Sequence, residues 1–198
     1  MSTKAVLVDA DGVLIYPWRF AEHLQREHGI TREMTREFFR GVFAQCSAGQ
    51  ADLMEVLPAF LPKWGWKGSV EQFVQVWFQT DGVVDERLIV AVQSLRRVGL
   101  TCCLASTQEK HRAKYITEVM GFARIFDRLF FSHSIGCPKP DPGFYEHVER
   151  CLGLQASSLL FWDDAEANVQ AARQRGWQAE LYTTYEAFAE RMRPYTER

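Results

Sequence analysis

The sequence predicts an α/β protein: a doubly wound parallel sheet of about five strands, with a small all-helical segment inserted after the first strand. Three observations carry this. From residue 81 onward, short apolar runs alternate with amphipathic helical stretches. One isolated apolar run, residues 4–9, precedes that region and ends in Asp9-Ala10-Asp11-Gly12. Between them, residues 16–80 show helical spacing and no convincing strand.

The elements follow in order. Residues 4–9 form the first strand. The stretch after Tyr16 is helical and rich in rings, among them Trp18, Phe38, Phe39, Trp64, Phe73 and Trp77, with Pro58, Pro62 and Gly65 as punctuation. A helix follows Asp81-Gly82, with Leu88, Val92 and Leu95 on one face and Gly99 as its stop. Residues 100–105 form a strand, 108–120 a helix and 128–132 a short strand. Residues 142–152 form a helix with Asp141 as cap and Pro142 at its first position. Residues 159–163 form a strand, 165–175 a helix stopped by Gly176, and 178–182 the last strand. The expected organisation is a core of residues 1–14 and 81–198, with residues 15–80 as a helical cap able to cover a site as a lid.

Composition narrows the function. The chain has 198 residues, and a hydrophobic share of 47% with six tryptophans suits a packed core. A net charge of −2 offers no basic field for nucleic acid or an anionic membrane. No apolar run approaches the roughly 18 to 20 residues of a membrane span, and the first one stops at Asp9, too short for a signal peptide. Five cysteines include no CxxC pair, which points to reduced thiols in a cytoplasmic protein. Cys102 and Cys103 lie in a predicted core strand, where cysteine is a small apolar filler. The five histidines show no metal-ligand spacing and read as surface or packing residues.

Polar residues collect at strand ends. Asp9 and Asp11 close the first strand, Ser106 and Thr107 the second, and Asp163 and Asp164 the 159–163 strand; Lys139 sits in a loop just before a helix. In a parallel sheet these ends share one rim, where ligands bind. Four crowded carboxylates repel unless a divalent cation lies among them, and oxygen donors with a dianionic substrate suit magnesium. A hydroxyl, backbone N–H groups and an ammonium make an anion site. A carboxylate facing phosphorus is a usable nucleophile, and a second carboxyl two residues on can move the proton. Each piece alone has a plainer reading. Ser106 with Glu109 is also a capping box, Asp164 a helix cap, Lys139 an exposed loop residue and Asp11-Gly12 a turn. Their shared order along the chain favours a site.

With these residues in view, the chain resembles the haloacid dehalogenase superfamily, in the branch with a helical cap inserted after its first motif. Asp9-Ala10-Asp11-Gly12-Val13-Leu14 matches DxDGxL, Ser106-Thr107 the second motif, and Lys139-Pro140-Asp141-Pro142 the third. Asp163-Asp164 with Asn168 and the alanines before Gly176 match the fourth. The resemblance spans nearly the whole chain. It implies a Rossmann-like core and a magnesium-dependent phosphatase acting on a small phosphorylated metabolite through an aspartyl-phosphate. Asp9 would be nucleophile and metal ligand. Asp11 would be the general acid/base and give its backbone carbonyl to the metal. Ser106, the backbone of Thr107, and Lys139 would hold the phosphoryl group. Asp164 would be the second metal carboxylate, with Asp163 and Asn168 behind it.

Two departures from the name-giving dehalogenases favour phosphate chemistry: Asp11 is present, and Asp163-Asp164 stands where they carry Ser-Ser-Asn. The second motif reads Ser106-Thr107 where many relatives have an asparagine second. The alternatives are a sugar-phosphate phosphomutase on the same core, then a dehalogenase or a non-catalytic binding protein. A receiver domain fits poorly, because it lacks the helical insert. The expected partner is the small-molecule substrate, with no nucleic acid or membrane, and the chain would be a monomer or homodimer.

Overall fold

The computed structural model describes residues 3–16 and 19–196; Trp18 lies outside the described residues. Five strands form one parallel sheet: β1 (Ala5–Val8), β2 (Thr101–Ser106), β3 (Arg128–Phe131), β4 (Leu159–Asp163) and β5 (Gln178–Leu181), in the order β3-β2-β1-β4-β5. The chain winds outward from β1 through β2 to β3, then returns to β4 on the other side of β1. The winding direction therefore reverses beside β1, which makes a crevice at the carboxyl ends of β1 and β4. All four residues of β1 are inaccessible to solvent, which is why this strand is a continuous apolar run rather than an alternating one.

Register places the acids. Val8 lies opposite Leu104 of β2 and Trp162 of β4. One residue on, Asp9 is level with Ala105 and Asp163, and its N–H donates to the Trp162 carbonyl at 2.9 Å.

Between β1 and β2 the chain forms α1 (Arg19–His28), α2 (Arg32–Arg40), α3 (Val42–Ser47), α4 (Leu53–Val56), α5 (Leu61–Trp64), α6 (Val70–Thr80) and α7 (Glu86–Arg97). The first six have their own core. Phe20, Leu24, Phe38, Leu53, Trp64, Phe73 and Phe78 pack into a cluster separate from the two that line the sheet. Phe20 stacks on Trp77 with ring centroids 5.4 Å apart, and Phe38 meets Trp64 edge-on at 5.4 Å. Phe38 and Phe73 are fully buried, each contributing about 1.5–3 kcal/mol of apolar burial. Local signals start these helices: Thr31 caps α2, Asp52 caps α4, and Ser69 with Gln72 forms a capping box on α6.

The remaining helices are α8 (Lys110–Lys114), α9 (Phe122–Ile125), α10 (Ser132–Ile135), α11 (Pro142–Leu152), α12 (Glu166–Gln174) and α13 (Tyr185–Thr196). Side chains of β1 alternate between two faces. Val6 and Val8 meet Leu88, Val92 and Leu95 of α7 with Phe188 and Met192 of α13. Leu7 meets Phe144 and Val148 of α11 with Val169 and Ala172 of α12. The sheet is thus covered on both sides, as a doubly wound architecture requires. No helix among the described residues is long and apolar enough to cross a membrane.

Besides the short helices α9 and α10, which the sequence expectation does not include, two elements differ from it. Residues 108–120 are not one α-helix: α8 begins at Lys110, and residues Tyr115–Val119 continue as a π-helical turn. Glu109 is the cap, accepting from the N–H groups of His111 and Arg112. Ser106 remains in β2, so the Ser106–Glu109 capping box does not form. The second difference is α13, which the sequence pattern did not reveal. Its buried side chains are Phe188 and Met192, an i,i+4 pair in a charged segment containing Pro194, and two apolar positions are a thin amphipathic signal.

Candidate active site

The carboxyl ends of β1, β2 and β4 bring Asp9, Ser106 and Asp163 together, all buried. Asp9 Oδ1 accepts from the N–H of Ala10 at 2.7 Å, and Asp9 Oδ2 lies 3.0 Å from Lys139 Nζ. Lys139 enters from the loop between α10 and α11, with its side chain 1% exposed. Its backbone N–H donates to Thr107 Oγ1 at 3.1 Å, so the Thr107 hydroxyl serves to hold the lysine loop. Its ammonium meets three acceptors: Asp9 Oδ2, Asp163 Oδ2 at 2.5 Å and the Ala105 carbonyl at 2.8 Å. An ammonium has three N–H groups, so what remains for a ligand is its charge.

Asp163 is fully inaccessible and fully bonded. Its Oδ1 accepts from Ala165 N–H at 2.8 Å and Asn168 Nδ2 at 2.9 Å. The Asn168 amide therefore supports Asp163, and it is Asp163 that receives the first N–H at the start of α12. Asp164 is exposed and lies against Gly12. Gly12 has φ +85°, and a Cβ there would stand 2.0 Å from Asp164 Oδ2; only glycine combines that backbone with that approach. Among the described residues, Asp9, Asp163 and Asp164 each offer an oxygen within 4.8 Å of the others.

Charge explains the titration of this cluster. Burial pushes Asp9 up, to about 7, against the pull of Lys139 and with a further push from Asp163. Burial acts against the Lys139 ammonium, yet Asp9 and Asp163 hold it above the usual lysine range. One cation faces two anions, so the lysine keeps its proton and Asp9 is left short of compensation. Asp164 is also raised, first by burial and then by the charge of Asp163. A hard divalent cation held by these oxygens relieves that repulsion, and the all-oxygen donor set suits magnesium.

Asp11 points elsewhere. Its side chain is 40% exposed, with Oδ1 3.6 Å from Arg112 Nη2 and Oδ2 accepting from Gln108 Nε2 at 2.6 Å. The same Gln108 amide donates to Ser106 Oγ at 3.1 Å. Sequence reasoning missed both Gln108 and Arg112. Gln108 lies two residues past Ser106 on the rim, so its strand-end position was the available signal. Arg112 sits in Lys-His-Arg-Ala-Lys, which reads as a solvated helix, yet it is 4% exposed.

A doubly wound sheet with a helical insert after β1, and this acid–lysine cluster at its switch point, define a class. The chain belongs to the haloacid dehalogenase-like hydrolases, whose profile matches residues 3–176, and it is an enzyme. It is similar to the GMP/IMP nucleotidase YrfG of Escherichia coli, 32% identical over 181 residues covering 86% of this chain and 78% of that one. It is also similar to Phosphatase MT3486 of Mycobacterium tuberculosis, 29% identical over 194 residues covering 91% and 88%. Among solved structures it superimposes on a HAD family enzyme of Bacteroides thetaiotaomicron with a TM-score of 0.84 at 19% identity, covering 97% and 99%. A further structure of that enzyme is a complex with magnesium and inorganic phosphate (TM-score 0.80, 20% identity, covering 96% and 98%). At these identities the superpositions establish a shared fold.

Proposed function

We propose that this protein is a magnesium-dependent phosphatase that hydrolyses a small phosphorylated metabolite through an aspartyl-phosphate on Asp9. The observation that carries the reading is the contrast between two carboxylates two residues apart. Asp9 is buried and flanked by Lys139 and Asp163, while Asp11 is partly open, held by Gln108 and with Arg112 3.6 Å away. Environments this different assign different roles to like groups.

Asp9 attacks phosphorus, and the bond from phosphorus to the ester oxygen breaks as the new Asp9–phosphorus bond forms. Asp11 gives a proton to the departing oxygen. As a carboxylate it then takes a proton from the water that attacks the aspartyl-phosphate, which releases inorganic phosphate and restores both acids. Ser106 and the backbone of Thr107 hold the phosphoryl oxygens. Lys139 contributes charge to Asp9 and the phosphoryl group. Asp9, Asp164 and the Asp11 carbonyl are the groups we assign to magnesium, with Asp163 and Asn168 supporting them. When bound, the ion neutralises Asp9 and the phosphoryl oxygens.

The boundary between core (residues 1–14 and 81–198) and cap (residues 15–80) belongs to the same reading. The separate aromatic core of α1 to α6 supports it, and a cytoplasmic setting is supported by the free thiols of all five cysteines. The names of the Escherichia coli and Mycobacterium tuberculosis relatives favour hydrolysis over a mutase reaction, and place purine nucleoside monophosphates on the substrate panel.

The test is phosphate release from a panel of sugar phosphates, nucleotides and other monophosphates, with magnesium and with chelator. Turnover that requires magnesium and vanishes in Asp9→Asn is expected. Turnover that survives either condition overturns the mechanism, and an isomerised sugar phosphate with little free phosphate identifies a mutase instead.

A further inference from the structure

Asp11 is held at both oxygens by side chains of the segment that follows β2. Gln108 Nε2 carries two hydrogens, so its bonds to Asp11 Oδ2 (2.6 Å) and Ser106 Oγ (3.1 Å) form together. Gln108 is 5% exposed, which leaves little room for water to replace it. On the other side, Arg112 lies 3.6 Å from Asp11 Oδ1, over the rings of Phe78 and Tyr115.

Both donors also grip the helical cap. Arg112 donates to the Phe78 carbonyl at 3.0 Å and to the Asp81 carbonyl, at the end of α6. The backbone N–H of Gln108 donates to Ser132 Oγ at 3.0 Å, and that hydroxyl donates to the Ser47 carbonyl of α3 at 2.6 Å. Two paths therefore run from Asp11 to the cap, one through Gln108 and Ser132 to α3 and one through Arg112 to the end of α6.

We propose that Gln108 is a positioning residue: it orients Asp11 for proton transfer, aligns it with Ser106, and ties that orientation to the docked cap. The inference rests on the phosphatase reading, in which Asp11 is the acid. A proton donor must stand within hydrogen-bond reach of the departing oxygen. A partly exposed aspartate turns freely about its side-chain torsions unless something holds it. A buried amide is suited to the task, because its two hydrogens fix the carboxyl and the Ser106 hydroxyl in one geometry.

The test uses Gln108→Met, which keeps the length and removes the donor, and compares two esters. p-Nitrophenyl phosphate has a leaving group that departs as a stable anion; β-glycerophosphate, or another alkyl monophosphate the wild type turns over, needs a proton on its oxygen. The expected result is a fall in kcat/KM, which reports transfer to Asp9 and not the later hydrolysis step shared by both esters, of roughly 100-fold for the alkyl ester with little change for the nitrophenyl ester. Equal losses on the two esters overturn the positioning role while leaving the phosphatase reading intact. If the wild type releases phosphate from no ester, the phosphatase reading itself fails, and this inference with it. Thermal unfolding checks that the variant is folded; where Gln108→Met does not fold, Gln108→Ala on the same two esters decides the matter.

Discussion

Lys139 Nζ and Asp163 Oδ2 form an ion pair at 2.5 Å with side-chain exposures of 1% and 0%. The pair is sensitive to loss of the lysine, because Asp9 and Asp163 are then two buried acids with no cation between them. Lys139→Met is expected to destabilise the protein by about 3–5 kcal/mol in denaturant unfolding. Adding Asp163→Asn should recover part of that loss, since the residues share one network and their effects are not additive. A double variant no more stable than Lys139→Met would show that the bonds of Asp163 to Ala165 and Asn168 dominate instead.

Asp9 carries a pH dependence of definite sign. Its pKa is raised by burial from 3.8 to about 7 in the folded protein. Between those values the folded state keeps a proton that the unfolded chain has lost, so this group's contribution to stability declines as pH rises through that window. Asp9→Asn removes the decline. In chelator, the variant is expected to melt above the wild type at and above neutral pH and to show no such advantage near pH 4, while having no turnover. Melting curves across pH read this directly.

Gly12→Ala tests the contact beneath Asp164. The substitution places a methyl group 2.0 Å from Asp164 Oδ2 on a backbone with φ +85°, itself a strain of about 1–2 kcal/mol. Displacing Asp164 is expected to lower apparent magnesium affinity about tenfold or more, comparable to the loss of a ligand's support. The magnesium dependence of melting temperature measures this without relying on turnover.

Asp85 links the start of α7 to the segment after β1. It caps α7 through the N–H of Arg87, pairs with the Arg87 guanidinium and accepts from Tyr16 Oη at 2.9 Å. The Arg87 hydrogen bonds hold its carboxyl down at about 2. A depressed pKa means stability present above 3.8 and lost as pH falls toward 2. Asp85→Ala is expected to cost about 1–2 kcal/mol at neutral pH, and the gap from wild type should narrow in urea unfolding below pH 4.

Much of this architecture was legible in one dimension. Alternating apolar runs and helical stretches marked the five strands, and α11 and β4 fall on the expected residues because Asp141-Pro142 and a dense apolar run mark their limits. Where the signal was sparse or competing, it failed. The two-residue apolar stripe of α13 is too sparse to mark a helix, and Glu109 rather than Ser106 caps α8, since Ser106 is already committed to β2.

The sequence by itself pointed to Asp9, Asp11, Ser106 and Asp163-Asp164 on one rim, within reach of Lys139 from a loop. Strand ends in a parallel sheet point one way, and chain order says which residues stand there. Only the tertiary structure decided how they pair. Strand register set Asp9 level with Asp163, the loop before α11 brought Lys139 between those two acids, and α12 turned Asn168 toward Asp163. The segment after β2 brought Gln108 and Arg112 onto Asp11. Partners 97 and 24 residues apart are joined by packing across the sheet and against the helical insert, and local periodicity carries no record of that.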